Sequence, residues 1–597
     1  VGEKNENYRL LQSFRAGAEK VIHQKEELNK INVFPVADGD TGSNLASLMQ
    51  AIIDNVPVKT YPMAILLDEI SGAALLGARG NSGIIFAQYL SAVAENYQKT
   101  ETNFESFVEA LEEAVNKAYN SLIEPKEGTI LTVMRAWSVT LVKIYRLNHS
   151  FEEALLEAKI EAQEALNATQ FQMPVLRKNK LVDAGAKGFY YFILGFTDFY
   201  CGKALKEGDE EAEDSLELFK EISVEHVIAE APRYRYCSEF ILKAPQISEF
   251  QLREVLQESG DSMVTAGNAK QLKLHIHTNE PQKVLVKLEK YGQIIYQKVD
   301  DMRLQYEISQ KKLAPIAIVT DSIADLPHEF VLAHQVHVLP VNVTVGDQNF
   351  LDKLTINAQL IKEKAGEKLK MSTSQPSIQT IDALFSFLEG KYEHVLVITV
   401  ASQLSGTYQL IEQRIKEKKY LKNWIHLIDS RLNSVAQGLL VQRAAQLAER
   451  GVSIQQLVQE IKQLRERIFI YVAVADLSPM IRSGRIPQSL GAVAQKLSLH
   501  PIISLDKTGN GKLIGASLSQ KKSMKKILKK IQVLAKNGQI EDIALTHVLA
   551  QGNMEEWKKT LKEKTGNDYK VIESSSAIAI SAGAGSIAVA GITKEQL

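Results

Sequence analysis

Two aspartates flank a single glycine, Asp38-Gly39-Asp40, inside the stretch Asn32-Val-Phe-Pro-Val-Ala-Asp-Gly-Asp-Thr-Gly-Ser-Asn44. Glycines at 39 and 42 let the backbone turn tightly enough for both carboxylates to face one centre. Carboxylates with no nearby His or Cys suit a hard cation, Mg²⁺ rather than Zn²⁺. Thr41, Ser43 and Asn44 are good N-cap residues, and the apolar-periodic run 45–53 follows, so the pair stands at a helix start whose N–H groups attract an anion. A divalent metal between acidic side chains and a phosphate is the simplest chemistry for this arrangement. An Asx-turn capping an ordinary helix is the bland alternative.

Two further glycine turns open helices. Gly77-Ala-Arg-Gly-Asn-Ser-Gly83 leads into an apolar run over 84–93, with Asn81 and Ser82 placed to cap it. The Gly-Lys-Ser/Thr ending of a Walker A loop is missing. Leu181-Val-Asp-Ala-Gly-Ala-Lys-Gly188 precedes an apolar helix over 189–199, and Thr129 takes an N-cap-like position before 130–147. Farther on, His275 and His277 alternate with Leu274 and Ile276. On a strand both imidazoles then leave the same face. With Cys237 they could hold Zn²⁺, or they could be half-buried histidines packed on a sheet.

The elements that must position these residues fall into three regions. Periodicity is helical at 8–30, 45–53, 63–76, 84–93, 104–120, 130–147, 151–169 and 189–199, with no strand pattern in the first two hundred residues. The acid-rich stretch 207–214 reads as a solvated linker. Short strand-like runs follow at 234–242, 262–265 and 273–278. From 316 onward strand, polar turn and helix alternate: 316–327 is a buried strand ending in a capped turn into a helix, further strands run over 337–345, 395–400 and 426–430, and 371–377 is a hydroxyl-rich loop. Hydroxyls then sit at the carboxyl ends of strands, where open sheets bind ligands.

Composition bounds the function classes. The 597 residues correspond to roughly three to five domains. A formal net charge of −1 recruits neither nucleic acid nor an anionic membrane. Six lysines between 521 and 530 form one charged helix face, better read as solvated than as a docking patch. Two cysteines, no spanning apolar run and no signal-peptide pattern point to a cytosolic protein.

The three glycine-containing turns, in this order, resemble the nucleotide-binding domain of dihydroxyacetone kinases, and the wording Asn-Val-Phe-Pro-Val-x-Asp-Gly-Asp-Thr-Gly is similar to bacterial fatty acid kinases. The resemblance covers residues 5–203. It implies a barrel of antiparallel helices in which Asp38 and Asp40 hold Mg²⁺ against ATP, with Asn32 as a third ligand. Thr41, Ser43, Asn44, Gly80, Asn81 and Ser82 become phosphate contacts, and Thr129 and Asp183 line the nucleotide end. The sugar-kinase members carry a third aspartate a few residues before the pair, where this chain has only Asn32. Tyr-Cys-x-Glu-Phe and Leu-His-x-His-Thr resemble the middle domain of fatty acid kinases, which implies zinc on Cys237, His275 and His277.

Thr-Asp-Ser, Thr-Ser-Gln-Pro-Ser, Leu-Ser-Gly-Thr-Tyr-Gln, Asp-Ser-Arg and Gly-Arg-Ile, over 314–597, resemble the DegV family of fatty-acid-binding proteins. Such proteins bury an acyl chain between two α/β lobes. The resemblance implies headgroup contacts at Ser374, Ser402, Gly406, Thr407 and Arg485. One departure stands out: Ser581-Ala-Gly-Ala-Gly585 replaces a His-Thr-Gly-Pro-Gly whose imidazole helps hold the headgroup.

The expected architecture is therefore an all-α helical barrel (1–203), an α/β middle domain (204–313) and a two-lobed α/β DegV-like domain (314–597). The expected function is ATP-dependent phosphorylation of a fatty acid carboxylate to an acyl phosphate. The expected partner is a separate fatty-acid-binding carrier or the chain's own DegV-like domain, and a homodimer is possible. A carboxylate nucleophile is already ionised near neutral pH, so no general base is required. A dihydroxyacetone-type hydroxyl kinase and a non-catalytic lipid-binding regulator are the alternatives.

Overall fold

The computed structural model describes residues 2–33, 39–98, 103–122, 124–202, 231–366, 369–484, 499–566 and 568–594. Asp38, Arg485 and the acidic stretch 207–214 lie outside the described residues. The chain divides into two compact units, Val1–Ser309 and Gln310–Leu597.

The first unit begins with helices Gly2–His23, Thr41–Asn55, Met63–Gly77, Gly80–Gln98, Phe104–Asn120, Ile130–Asn148, Phe151–Gln172 and Ala184–Tyr200. Each packs on the next, and the last returns to the first, so the ring closes into the expected antiparallel barrel. Caps set the helix starts: Asn103 accepts from the Ser106 amide, Ser150 from Glu153 and Asp183 from Ala186. Closure depends on small residues, because a Cβ on Gly17 would meet the Phe192 carbonyl at 2.7 Å. Around that crossing Phe14, Phe86, Phe189, Phe192 and Phe196 form a tilted and edge-on aromatic cluster. Each such buried ring stabilises the fold by roughly 1.5–3 kcal/mol.

The start positions differ from the sequence reading. Thr41, Ser43 and Asn44 do not cap: the helix begins at Thr41 with Asp40 at the N-cap. Asn81 and Ser82 likewise lie inside the first turn of a helix that begins at Gly80. The 189–199 helix starts earlier, at Ala184. In each case the small residues of the glycine turns continue the helix where propensity predicts loop, because tertiary packing outweighs a propensity cost of about 1 kcal/mol.

A four-stranded antiparallel sheet follows, β1 (Tyr236–Lys243), β2 (Asp261–Gly267), β3 (Gln271–Thr278) and β4 (Gln293–Asp301), in the order β2-β3-β1-β4. The sequence reading missed β4, an edge strand whose mostly half-exposed polar residues show no clean alternation. Val264 and Ala266, paired with His275 and Lys273, join the core of the helical barrel. One face of this sheet is therefore turned toward the barrel.

The second unit holds a parallel sheet of β5 (Ile316–Asp321), β6 (His337–Leu339), β10 (His394–Thr399) and β11 (Ile425–Asp429) in the order β11-β10-β5-β6. Its central strands are buried along their length, as a sheet covered on both faces requires. A six-stranded mixed sheet forms the other lobe, and the buried helix Ser434–Glu449 packs against strands of both sheets. The single strand expected over 337–345 is two strands in different sheets, β6 and β7 (Asn342–Val345). Pro340 between them cannot donate to a ladder. Residues 371–374, read as loop, form β9 (Met371–Ser374), which pairs with β7.

Candidate functional site

In an up-and-down ring alternate helices open at the same end, which brings the starts at Thr41, Gly80, Ile130 and Ala184 to one end of the barrel. Side-chain geometry agrees. A Cβ on Gly80, which has φ +59°, would sit 2.6 Å from Asn44 Nδ2, and one on Gly185 would strike Ser82 Oγ. Asp183 takes backbone amides from Ala186, Ile130 and Gly185. Burial, only partly offset by those amides, raises its carboxyl to about 6.

Asp40 caps the first of these helices, and its carbonyl accepts from the Asn44 amide at 2.8 Å. Thr41 Oγ1 donates to Asn32 Oδ1 at 2.9 Å. Ser43 is held by Asn29, which accepts from its amide and donates to its hydroxyl, both at 3.0 Å. Thr129 caps the Ile130–Asn148 helix, and its hydroxyl donates to the Lys126 carbonyl. Asn81 Oδ1 is buried with no hydrogen-bond partner among the described residues. The structure thus brings Asn44, Gly80, Ser82 and Asp183 into direct neighbourhood and binds Ser43 elsewhere. Oxygen donors at four helix N-termini, one of them an orphaned carboxamide, fit Mg²⁺ and phosphate.

The middle sheet carries the second cluster. Cys237 pairs with His277, and Glu239 with His275, across β1 and β3. The ligand atoms of Cys237, His275 and His277 all lie within 4.8 Å of one another. His277 Nδ1 is 3.6 Å from Asp261, and His275 Nδ1 is 3.6 Å from Glu239. Burial and the neighbouring His275 lower His277 to about 3, leaving a neutral imidazole suited to ligation. Burial and then the charges of Glu239, Asp300 and Asp40 push the Cys237 thiol well above its ordinary range. A thiolate therefore needs a cation beside it. One sulfur, two imidazoles and a carboxylate behind each ring fit zinc.

Glu239 is fully buried, and its Oε1 accepts from the Gly80 amide at 2.7 Å. Burial opposes its ionisation, but Lys273, His275 and Lys298 outweigh it and hold the carboxyl well below the ordinary range. A separate cleft of about 440 Å³ is lined by Ser91, Glu95, Lys117, Glu249 and Lys270. Ser91 is eleven residues along the helix from Gly80, roughly 16 Å at 1.5 Å per residue, so this cleft is remote from the helix starts.

In the second unit Ser374 is exposed on β9. Ser402 is bonded to Asp429 through both its amide and hydroxyl, and the buried Thr407 shares a hydroxyl bond with Ser405. A Cβ on Gly406 would meet Gln375 at 2.5 Å, which brings that turn beside the residue following Ser374. The apolar cavity of this unit, about 80 Å³, is lined by other polar residues, among them Asn433, Ser434, Thr546, His547 and Ser581. Asn433 Oδ1 there is buried with no partner among the described residues.

Comparison with known proteins matches each region. Residues 35–198 match the DAK2 domain, 233–309 the middle domain of fatty acid kinase A-like proteins, and 315–594 the DegV family. Three family models thus match in succession along the chain: a DAK2 domain, a fatty acid kinase A-like middle domain and the DegV family. An uncharacterized protein of Staphylococcus saprophyticus is 31% identical over 312 residues, 50% of this chain and 55% of that protein. Protein YloV of Bacillus subtilis is 30% identical over 304 residues, 49% of this chain and 54% of YloV. The chain thus spans about half the length of these curated relatives. A fatty-acid-binding DegV family protein from Thermus thermophilus is 26% identical with a TM-score of 0.43, covering 47% of this chain and 99% of that one.

Sequence reasoning missed Glu239 and Lys273 of the middle domain, which bond to the 78–80 turn of the DAK2 domain, and Asn433 and His547 in the DegV domain. A signal for the first two was present. Glu239 stands two residues after Cys237, and Lys273 two before His275, so strand period puts Glu239 on the face of Cys237 and Lys273 on the face of His275, and the register of β1 on β3 makes these one face. No local pattern marks Asn433 or His547, which lie over a hundred residues apart.

Proposed function

We propose that the chain is an ATP-dependent kinase that phosphorylates the carboxylate of a carrier-bound fatty acid to an acyl phosphate. The observation that carries this reading is the meeting of four helix N-termini beside Asp40 and Asn32. On this reading Asp38 and Asp40 hold Mg²⁺ with Asn32, and the ion when bound offsets phosphate charge during transfer. Amides and hydroxyls of Thr41, Asn44, Asn81 and Ser82 orient the phosphates, while Thr129 and Asp183 line the nucleotide end. The acid substrate arrives ionised, so the residues here need only position and stabilise. Cys237, His275 and His277 hold zinc, with Asp261 and Glu239 fixing the imidazoles.

The fatty acid kinase A-like middle domain and the DegV domain support a lipid acid over a sugar. Ser581-Ala-Gly-Ala-Gly585 stands where the family resemblance expects a headgroup-holding imidazole, which favours a separate carrier over self-presentation. No helix among the described residues is long and apolar enough to cross a membrane, and we place the reaction in the cytosol.

The test is Mg-ATP consumption by the full chain with and without a fatty-acid-loaded carrier, alongside mass spectrometry of lipid extracted from the purified protein. Consumption that requires the loaded carrier, with no long acyl chain extracted, is expected. Consumption with dihydroxyacetone alone, or bound lipid without ATP turnover, rejects the reading.

A further inference from the structure

One turn of the DAK2 domain is gripped at both ends by the middle domain. The Gly80 amide donates to Glu239 Oε1 at 2.7 Å, and the Ala78 carbonyl accepts from Lys273 Nζ. Glu239 and Lys273 are paired at 3.5 Å, with both side chains shut off from solvent. The same Glu239 oxygen lies 3.6 Å from His275 Nδ1. A single carboxylate thus touches the first residue of a helix that opens at the nucleotide end and an imidazole of the Cys237–His275–His277 cluster.

A buried ion pair is a poor device for stability alone, since apolar residues of similar volume commonly serve as well or better. The sheet face around it is already packed on the barrel core through Val264 and Ala266. What the pair adds is placement: it fixes the 78–80 turn and with it the amides that follow. We propose that Glu239 is a positioning residue for phosphoryl transfer, holding the Gly80 turn so that the amides of Asn81 and Ser82 meet the ATP phosphates and tying that turn to the metal cluster. The inference rests on the kinase reading above. It assigns the Gly80 amide to Glu239 and leaves phosphate contact to the next two residues.

The test uses the full chain and pairs of substitutions, because removing one partner alone strands a buried charge. Glu239→Leu with Lys273→Met deletes the acceptor of Gly80, whereas Glu239→Gln with Lys273→Met keeps an oxygen there. Calorimetric titration with Mg-ATP is expected to show affinity about tenfold weaker in the leucine pair and largely recovered in the glutamine pair. Zinc per chain is measured by mass spectrometry in both pairs, because Glu239 also faces His275, and the two affinities are compared on zinc-replete protein. Wild-type Mg-ATP affinity in a leucine pair with a normal melting curve overturns the inference, as does equal weakening in both pairs. Should the leucine pair fail to fold, Glu239→Asp decides: it keeps the charge but retracts the acceptor, so unchanged affinity overturns the inference. Asp40→Asn separates the two levels. If it leaves Mg-ATP binding intact the kinase reading itself fails, whereas its loss beside normal Glu239 variants removes this inference alone.

Discussion

In the middle domain the buried Glu239 faces cations, Lys273 at 3.5 Å and Lys298 beyond it. In the DegV domain the equally buried Asp321 faces mainly dipoles: the Val400 amide at 2.7 Å, the Ile323 amide and the Gln437 carboxamide at 3.2 Å. Burial opposes ionisation in both. Cations outweigh it for Glu239, which is held below the ordinary range, whereas the dipoles around Asp321 do not, and its carboxyl rises to about 6. The first arrangement holds a permanent charge that can act on a neighbouring turn. The second is a strut that joins strand ends to loops and titrates near neutral pH.

The sharpest way to break this contrast is chemical. Replacing Asp38 and Asp40 together by alanine is expected to lower Mg-ATP-dependent turnover by roughly 10³-fold or more, with the melting temperature little changed. Turnover that survives would leave the first unit as much a scaffold as the second. Next in size is Asp325→Ala. Asp325 is fully buried, takes the Ser434 hydroxyl at 2.5 Å and the Ser575 amide at 3.0 Å, and pairs with Lys353 at 3.1 Å. Its loss is expected to destabilise the DegV unit by roughly 3–5 kcal/mol in urea unfolding, and a loss under about 1 kcal/mol rejects a structural role for the Asp325–Lys353 pair.

The pH dependence tests the same contrast more gently. A carboxyl raised to about 6 from the ordinary 3.8 contributes stability that is full below the ordinary value and lost as pH rises through 6. The loss is on the order of 3 kcal/mol. Asp321→Asn is therefore expected to flatten the fall in melting temperature between pH 4 and 6.5, and an unchanged slope assigns the titration to another group. The smallest effect belongs to the surface. Lys521 and Glu556 lie 3.4 Å apart but both are well exposed, so Lys521→Ala is expected to change stability by less than about 0.5 kcal/mol.

Much of this was legible in one dimension. Helical periodicity located every long helix of the barrel, because each buries one stripe. The order of the three glycine turns pointed to phosphate chemistry, and the two-residue alternation at 273–278 put both histidines on one face. Boundaries were less legible. Gly80, Asn81 and Ser82 read as turn but lie in helix, since packing against Asn44 and Glu239 replaces what propensity lacks. Pro340 should have divided 337–345, and the edge strand β4 has no pattern to show.

Residue order alone determined which side chains share a face: Cys237 with Glu239, and Lys273 with His275 and His277. These follow from a strand's fixed period, which is a local property. Which turn that face meets was decided only in three dimensions. Gly80 and Glu239 are separated by 159 residues, and a contact at such distance depends on ring closure and sheet docking rather than on any neighbouring residue. For the same reason the cavity of the DegV domain is walled by Asn433 and His547, residues that only the packing of two lobes brings together.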